Sequence, residues 1–214
     1  MRVCLIHGST QGPHGWDLLV KELMAWGVEV TAVDLPRVAE GAEYFAREVA
    51  AQVPGGEPPV VVAHSLAGLV LPYVPLFMEV ARLVYLTAVI PRPGAALSGG
   101  ASGEMFQPEW RGKDPTSDFA LARHFLFHDC DPRVQEWALT TLRLWSSPVL
   151  VSEVCTLGVL PPATYVSASL DRALNPEWWE REAARSGFEV VRMETGHAPH
   201  VSSPRELARV VMAS

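Results

Sequence analysis

Pro59-Val60-Val61-Val62-Ala63-His64-Ser65-Leu66-Ala67-Gly68 decides how this chain folds. Residues 59–63 form a short apolar run with no polar alternation, the mark of a strand buried on both faces. From Leu66 to about Phe77 the pattern reads as a helix, irregular at Pro72 and Pro75. The chain must therefore turn sharply at Ser65. Small residues at Ala63, Ala67 and Gly68 let the helix lie close to the strand. Such a turn holds Ser65 in a strained backbone conformation, at a cost of about 1–3 kcal/mol. It points the hydroxyl out of the carboxyl edge of a sheet, at a helix N-terminus.

Upstream, Arg2–Ile6 and Val28–Val33 are strands. Between them a helix runs from Trp16 to Trp26, with Leu18, Leu19, Leu23 and Trp26 at helical spacing and Gly27 at its end. Glu43 to Val53 is a second helix, closed by Pro54-Gly55-Gly56. Downstream, Arg82–Thr87, Ala163–Ser167 and Phe188–Met193 are strands, with helices at Pro176–Ser186 and Pro204–Met212. Alternation of apolar strands with helices predicts an α/β fold: a doubly wound, mainly parallel sheet of about six strands with right-handed crossovers.

The rhythm breaks between Pro91 and about Pro161. Ser117–Phe127 and Asp131–Trp145 read as helices, with Asp118 and Asp131 placed as N-caps. A structureless loop of this length is uncommon inside a compact domain. Residues 91–160 are therefore expected to be a helical cap inserted after the fourth strand of a single domain spanning 1–214. The insertion holds Phe106, Trp110, Phe119, Phe125, Phe127, Trp137 and Trp145.

Composition narrows the function classes. The 24 acidic and 17 basic side chains give a net charge of -7, with no local Lys/Arg cluster, which disfavours nucleic acid as a partner. Cys4, Cys130 and Cys155 are an odd set without metal spacing or a Cys-x-x-Cys pair, and Cys4 falls in an apolar strand as a buried inert thiol. The opening strand is too short for the roughly 7–15 apolar residues of a signal-peptide core. No run approaches the ~20 apolar residues of a membrane span. A soluble, cytoplasmic protein without a membrane partner is expected, and a homodimer stays open.

Ala63-His64-Ser65-Leu66-Ala67 resembles the G-x-S-x-G nucleophile elbow of α/β-hydrolases, with alanine at both glycine positions. A serine hydroxyl is a weak nucleophile until a base adjoins it. In that family the acid and then the histidine follow the serine, each on a loop after a late strand. Tyr165–Asp171 is a strand ending in a small-residue loop, and Glu194-Thr195-Gly196-His197-Ala198-Pro199-His200 follows the last strand, with His197 behind a flexible glycine. The resemblance implies Ser65 as nucleophile, His197 as base and Asp171 as the acid that orients it. Ile6-His7-Gly8-Ser9-Thr10-Gln11-Gly12 is similar to the family's His-Gly loop. It implies an oxyanion hole from the N–H groups of Leu66 and Ser9, with Thr10 as the alternative to Ser9. The pattern is most similar to the compact esterase and hydroxynitrile-lyase-like branch.

Plainer roles stand beside these. Asp171 could cap a turn before Asn175-Pro176. His200 competes with His197, although the loop match selects the first histidine and leaves His200 to packing. His64 should point away from the hydroxyl, His7 should brace its loop, Asp34 should anchor a loop, and Trp16 should lie in the core. Asp129 and Asp131 fall in the cap, poorly placed to serve as the acid.

The expected function is hydrolysis of a small, largely apolar ester through an acyl-enzyme, with no metal and no organic cofactor. The apolar preference rests on the aromatic cap. Two alternatives stay open: a triad-based lyase or cyclase of a biosynthetic pathway, and a ligand-binding member of the fold without catalysis. For the lyase branch the resemblance implies a threonine where Gly8 stands and a cap lysine, and the lone candidate, Lys113, has an exposed setting.

Overall fold

The computed structural model describes residues 1–100 and 103–213. Six parallel strands, β1 (Arg2–Ile6), β2 (Glu29–Val33), β3 (Val60–His64), β4 (Arg82–Leu86), β5 (Ala163–Ala168) and β6 (Glu189–Met193), pair in the order β2-β1-β3-β4-β5-β6. Each strand lies within two residues of its sequence reading at both ends. The chain winds outward from β1 to β2 and then crosses back to β3. β1 and β3 are thus the neighbours at the switch point, where open α/β sheets hold ligands beyond the strands' carboxyl ends.

Alternate residues of each strand face opposite layers. Val3, Leu5, Val60, Val62, Val84, Leu86 and Val166 pack with Trp16, with Leu19 and Leu23 of α1 (Asp17–Ala25), and with Leu207, Ala208 and Val211 of the final helix, Pro204–Ala213. Cys4, Ile6, Val61, Ala63, Leu83, Tyr85 and Tyr165 face the other way, onto Phe45, Ala46 and Val49 of α2 (Ala42–Gln52) and onto Trp178, Trp179 and Ala183 of the helix Pro176–Arg185. Both faces are covered, as continuous apolar strands require.

The expected helix from Leu66 to Phe77 is not α-helical. It splits into two 3-10 helices, Ser65–Leu69 and Leu71–Leu76. Pro72 and Pro75 have no N–H for an i→i−4 bond, and their rings clash with the carbonyl four residues back.

After β4 the insertion contributes α3 (Leu97–Gly100), α4 (Phe119–Phe125), α5 (Pro132–Thr140) and α6 (Pro148–Ser152). Asp118 caps α4 by accepting from Ala120 and Leu121 N–H, and Asp131 caps α5 by accepting from Arg133 N–H. The helix expected to reach Trp145 stops at Thr140, and residues 142–145 run on as extended chain beside the loop after β1. Completing the set are α7 (Pro176–Arg185), α8 (Pro199–Ser202) and α9 (Pro204–Ala213). The insertion has its own core of Ala122, Phe125, Leu126, Phe127, Cys130, Ala138 and Leu139, which closes over Ala198 and Val201 beside the β6 exit loop. No helix among the described residues is long and apolar enough to cross a membrane.

Candidate active site

β3 ends at His64, and Ser65 turns out of it with φ 53°, a left-handed conformation that a residue with a Cβ rarely adopts. The turn is held locally. The Ser65 carbonyl accepts from Val89 N–H at 3.0 Å. A Cβ on Gly68 would lie 2.1 Å from the Val89 carbonyl oxygen, so only glycine lets the chain pass there. From the β1 side, a Cβ on Gly8 would lie 2.9 Å from Ser65 Cβ and 3.0 Å from the His64 carbonyl. The register that pairs Ile6 with Ala63 brings Gly8 opposite Ser65. Gly68 and Gly8 both allow close approach at the elbow.

The loops after β5 and β6 bring two further side chains to this serine. His197 Nε2 lies 3.2 Å from Ser65 Oγ, and His197 Nδ1 lies 2.8 Å from Asp171 Oδ2. A carboxylate only accepts, so Nδ1 carries the proton and Nε2 is free to accept from the Ser65 hydroxyl. Ser65 is half-buried, whereas Asp171 and His197 are buried. Asp171 Oδ1 accepts from Ala173 N–H at 2.7 Å and Leu174 N–H at 3.0 Å. The turn-capping and histidine-facing readings of Asp171 therefore hold together, one on each oxygen.

His64 points away from the hydroxyl. Its Nε2–H donates to the His197 carbonyl at 2.9 Å, and Thr87 Oγ1 donates to that same oxygen at 2.9 Å. Thr87 has φ 41°, costly for a β-branched residue, at the exit of β4. His197 is thus held by its backbone as well as by its ring. His200 reaches neither Ser65 nor Asp171. Its Nε2–H donates to Gln11 Oε1 at 2.9 Å, while Gln11 Nε2 donates to Thr141 Oγ1 at 2.8 Å. The His200 ring packs 4.4 Å from Trp16 and 4.7 Å from His64, centroid to centroid.

His7 braces the loop after β1. Its Nδ1–H donates to the Gly8 carbonyl at 2.9 Å and its Nε2 accepts from Leu35 N–H at 3.1 Å, a pattern that requires the neutral ring. Burial pushes His7 down to about 4 and His200 down to about 3, and it holds His64 well below the usual imidazole range. Ser9 and Thr10 lie on this same loop, their carbonyls accepting from Trp145 N–H at 2.8 Å and Arg143 N–H at 3.0 Å. Asp34 pairs with Arg143, whose guanidinium lowers the Asp34 carboxyl below its ordinary range. Leu66, beside the serine, is half-buried against the main core.

Most of the insertion's aromatic residues serve packing. Trp145 is fully buried against Phe45 and His7, Phe125 and Phe127 lie in the insertion's core, and Phe119 is exposed. Trp110 lies beside the site, its ring 6.4 Å from that of His197. Thr87, Gln11 and Gln107 escape the sequence reading. Gln107 Nε2 donates to the Asp171 carbonyl at 3.1 Å. Thr87 and Gln107 act on backbone carbonyls, which leave no pattern in side-chain spacing, and Gln11 acts on His200 and Thr141, both far away in sequence. Burial pushes the Cys4 thiol up to about 12, in line with an inert core residue. No cluster of three or more metal-ligating side chains occurs among the described residues.

A parallel sheet with a serine on a left-handed turn at its switch point, and buried histidine and aspartate on its last two exits, defines an α/β-hydrolase. Residues 5–210 match the alpha/beta hydrolase family, and the chain belongs to it. It is 24% identical to the alpha/beta hydrolase nvfD of Aspergillus novofumigatus, covering 98% of this chain and 94% of that one. It is 28% identical to a probable hydrolase, R7, of a Phoma species, covering 98% and 96%. Among solved structures, a pyrethroid hydrolase from Sphingobium faniae superposes with a TM-score of 0.77 at 23% identity, covering 100% of this chain and 96% of that one. The methylesterase MES16 from Arabidopsis gives 0.77 at 17%, covering 100% and 98%. These two likenesses are of fold.

Proposed function

We propose that the protein is a serine hydrolase of carboxylesterase type, cleaving a small, largely apolar ester through an acyl-enzyme. The observation that carries this reading is the unbroken line from Ser65 Oγ through both nitrogens of His197 to Asp171 Oδ2, with contacts of 3.2 and 2.8 Å. His197 takes the Ser65 proton as Oγ attacks the ester carbonyl, and Asp171 holds the imidazole in the required tautomer and stabilises its cation. The N–H groups of Leu66 and Ser9 receive the oxyanion. The close approach of Gly8 to Ser65 supports Ser9 as one donor. His197 then protonates the departing alcohol, and water, activated by the same base, releases the acid. The cycle consumes one water and no cofactor. The names of the fold neighbours, a pyrethroid hydrolase and a methylesterase, agree with ester chemistry.

Labelling with a fluorophosphonate, read by intact mass and peptide mapping, tests the reading. A stoichiometric adduct on Ser65, absent in Ser65→Ala, is the expected result. A folded protein that takes up no label would move the ligand-binding reading to the front. The lyase reading draws no support from Gly8 or from Lys113, which is exposed in the insertion.

A further inference from the structure

Asp129 lies in the insertion, in the turn between α4 and α5, where the sequence offered it no role. One of its oxygens, Oδ2, accepts from Gly196 N–H at 2.6 Å. The other, Oδ1, is buried without a hydrogen-bond partner. Asp129 as a whole is half-buried, but a carboxylate oxygen buried without a partner is costly and calls for a reason. Gly196 immediately precedes His197. A Cβ there would lie 2.6 Å from Asp129 Oδ1 and 2.9 Å from His128 Nε2. Gly196 thus leaves room for Asp129 and His128, whose side-chain ends a Cβ would push aside.

The neighbouring residue does the same to the acid. His128 Nε2–H donates to the carbonyl of Leu170 at 3.0 Å, and Leu170 immediately precedes Asp171. The two gripped loops are also tied to each other, Leu170 N–H donating to the Thr195 carbonyl at 3.0 Å. A single dipeptide of the insertion therefore grips the residue before the acid and the residue before the base. It stands on the insertion's own core, which includes Phe127, Cys130, Ala198 and Val201.

Resting on the hydrolase reading above, we propose that His128-Asp129 is a positioning clamp that sets the distance between Asp171 and His197. The insertion thereby acts on the rate of the chemical step as well as on the shape of the pocket. Asp129 and His128 are positioning residues, since neither touches the Ser65 hydroxyl. A general base displaced by about 1 Å can cost on the order of 10²-fold in rate.

The test compares wild type with Asp129→Ala, Asp129→Asn and Gly196→Ala, each checked for folding by thermal unfolding. The readouts are amide hydrogen exchange across residues 169–172 and 195–198, and kcat and KM on p-nitrophenyl acetate. Asp129→Ala should lose protection in both segments while β3 keeps its own. Its kcat should fall by about 10- to 100-fold with KM within about threefold. Asp129→Asn keeps an acceptor for Gly196 N–H and should recover most of both losses. Gly196→Ala enters from the other side of the contact, so should Asp129→Ala not fold, it and Asp129→Asn carry the comparison.

Unchanged exchange in both loops, or unchanged kcat in Asp129→Ala, would overturn the clamp. So would a loss that Asp129→Asn does not rescue. Wild type inert towards esters and fluorophosphonates would count against the hydrolase reading instead, and the exchange data would still decide the clamp.

Discussion

The two sides of the site are held in different ways. Ser65 is fixed by what surrounds its own turn: a positive φ, a hydrogen bond from Val89, and two glycines that admit backbone where no side chain fits. Asp171 and His197 sit on longer loops with ordinary backbone and, apart from the turn that Asp171 caps, are fixed by partners far away in sequence. Those partners are His64 and Thr87 on the His197 carbonyl, Gln107 on the Asp171 carbonyl, and the two loops on each other. Ser65 is held on a strained turn, Asp171 and His197 by a distributed polar network. The first kind of support gathers around one turn, with Gly8 and Val89 reaching it from the exits of β1 and β4, whereas the second recruits four strand exits and an insertion.

The comparison can be broken at its most demanding point first. Ser65→Ala should lower kcat/KM for ester hydrolysis by about 10⁶-fold, as loss of a nucleophile does when the triad acts as a unit. Steady-state kinetics on an aryl ester would check it, and an activity within tenfold of wild type would mean that the chemistry lies elsewhere. Asp171 allows a finer cut, because its two oxygens have separate duties. Asp171→Asn can keep Oδ1 on Ala173 and Leu174 while turning an amide N–H₂ towards His197 Nδ1, which favours the wrong tautomer. Its kcat should fall about 10⁴-fold with little change in unfolding temperature. Asp171→Ala should lose comparable activity and a further ~1–2 kcal/mol of stability, since two buried N–H groups then lack an acceptor. Equal stability of the two variants in urea would show that the capping oxygen does nothing.

That division between local and distributed support also explains what could be read from the sequence. Val60 to Gly68 is read from adjacent residues, so the strand and the sharp turn at Ser65 follow from them, whereas the contacts of Gly8 and Val89 with that turn do not. The four inner strands were legible because strands buried on both faces have an unmistakable composition. His197 and Asp171 could be chosen by order and loop position, yet nothing in their segments shows that Thr87 or Gln107 supports them. Those contacts end on carbonyl oxygens, which every residue possesses. The same limit applies to the insertion. Asp118 and Asp131 were readable as caps because capping is local. Trp145 was not readable as a main-core residue, because its burial depends on α2 and the β1 loop meeting it.

Acidification probes the packing behind both sides at once. An unfolded histidine titrates near 6.5. In the folded chain burial puts His7 near 4 and His200 near 3, with His64 also well below its usual range. Between those values the unfolded state binds protons that the folded state refuses. Stability is then full above about pH 6.5 and falls as pH drops towards the folded values, by up to about 1.4 kcal/mol per pH unit for each proton. Urea midpoints at pH 7.5 and pH 5 should differ, with the acid one lower. Equal midpoints would mean that these rings are hydrated. A smaller effect belongs to the elbow alone: Gly68→Ala sets a Cβ against the Val89 carbonyl and should cost about 1–3 kcal/mol, read by thermal unfolding.

The smallest effect is the most pointed, because it measures the strain itself. Ser65→Ala and Ser65→Gly both remove the hydroxyl and its bond to His197, so they differ in backbone freedom and one methyl. At φ 53° alanine keeps the left-handed penalty and glycine does not. Glycine also gains entropy in the unfolded chain, which takes back part of the benefit. The glycine variant should still be the more stable by about 0.5–1 kcal/mol, an unfolding temperature higher by ~1–4 °C for a chain of this size. Ser169, two residues before Asp171 and outside the left-handed region, supplies the counter-case. There Gly should fall below Ala, since only the entropy term is left. The same ordering at both positions would show that the serine turn stores no strain and that the two sides of the site are built alike.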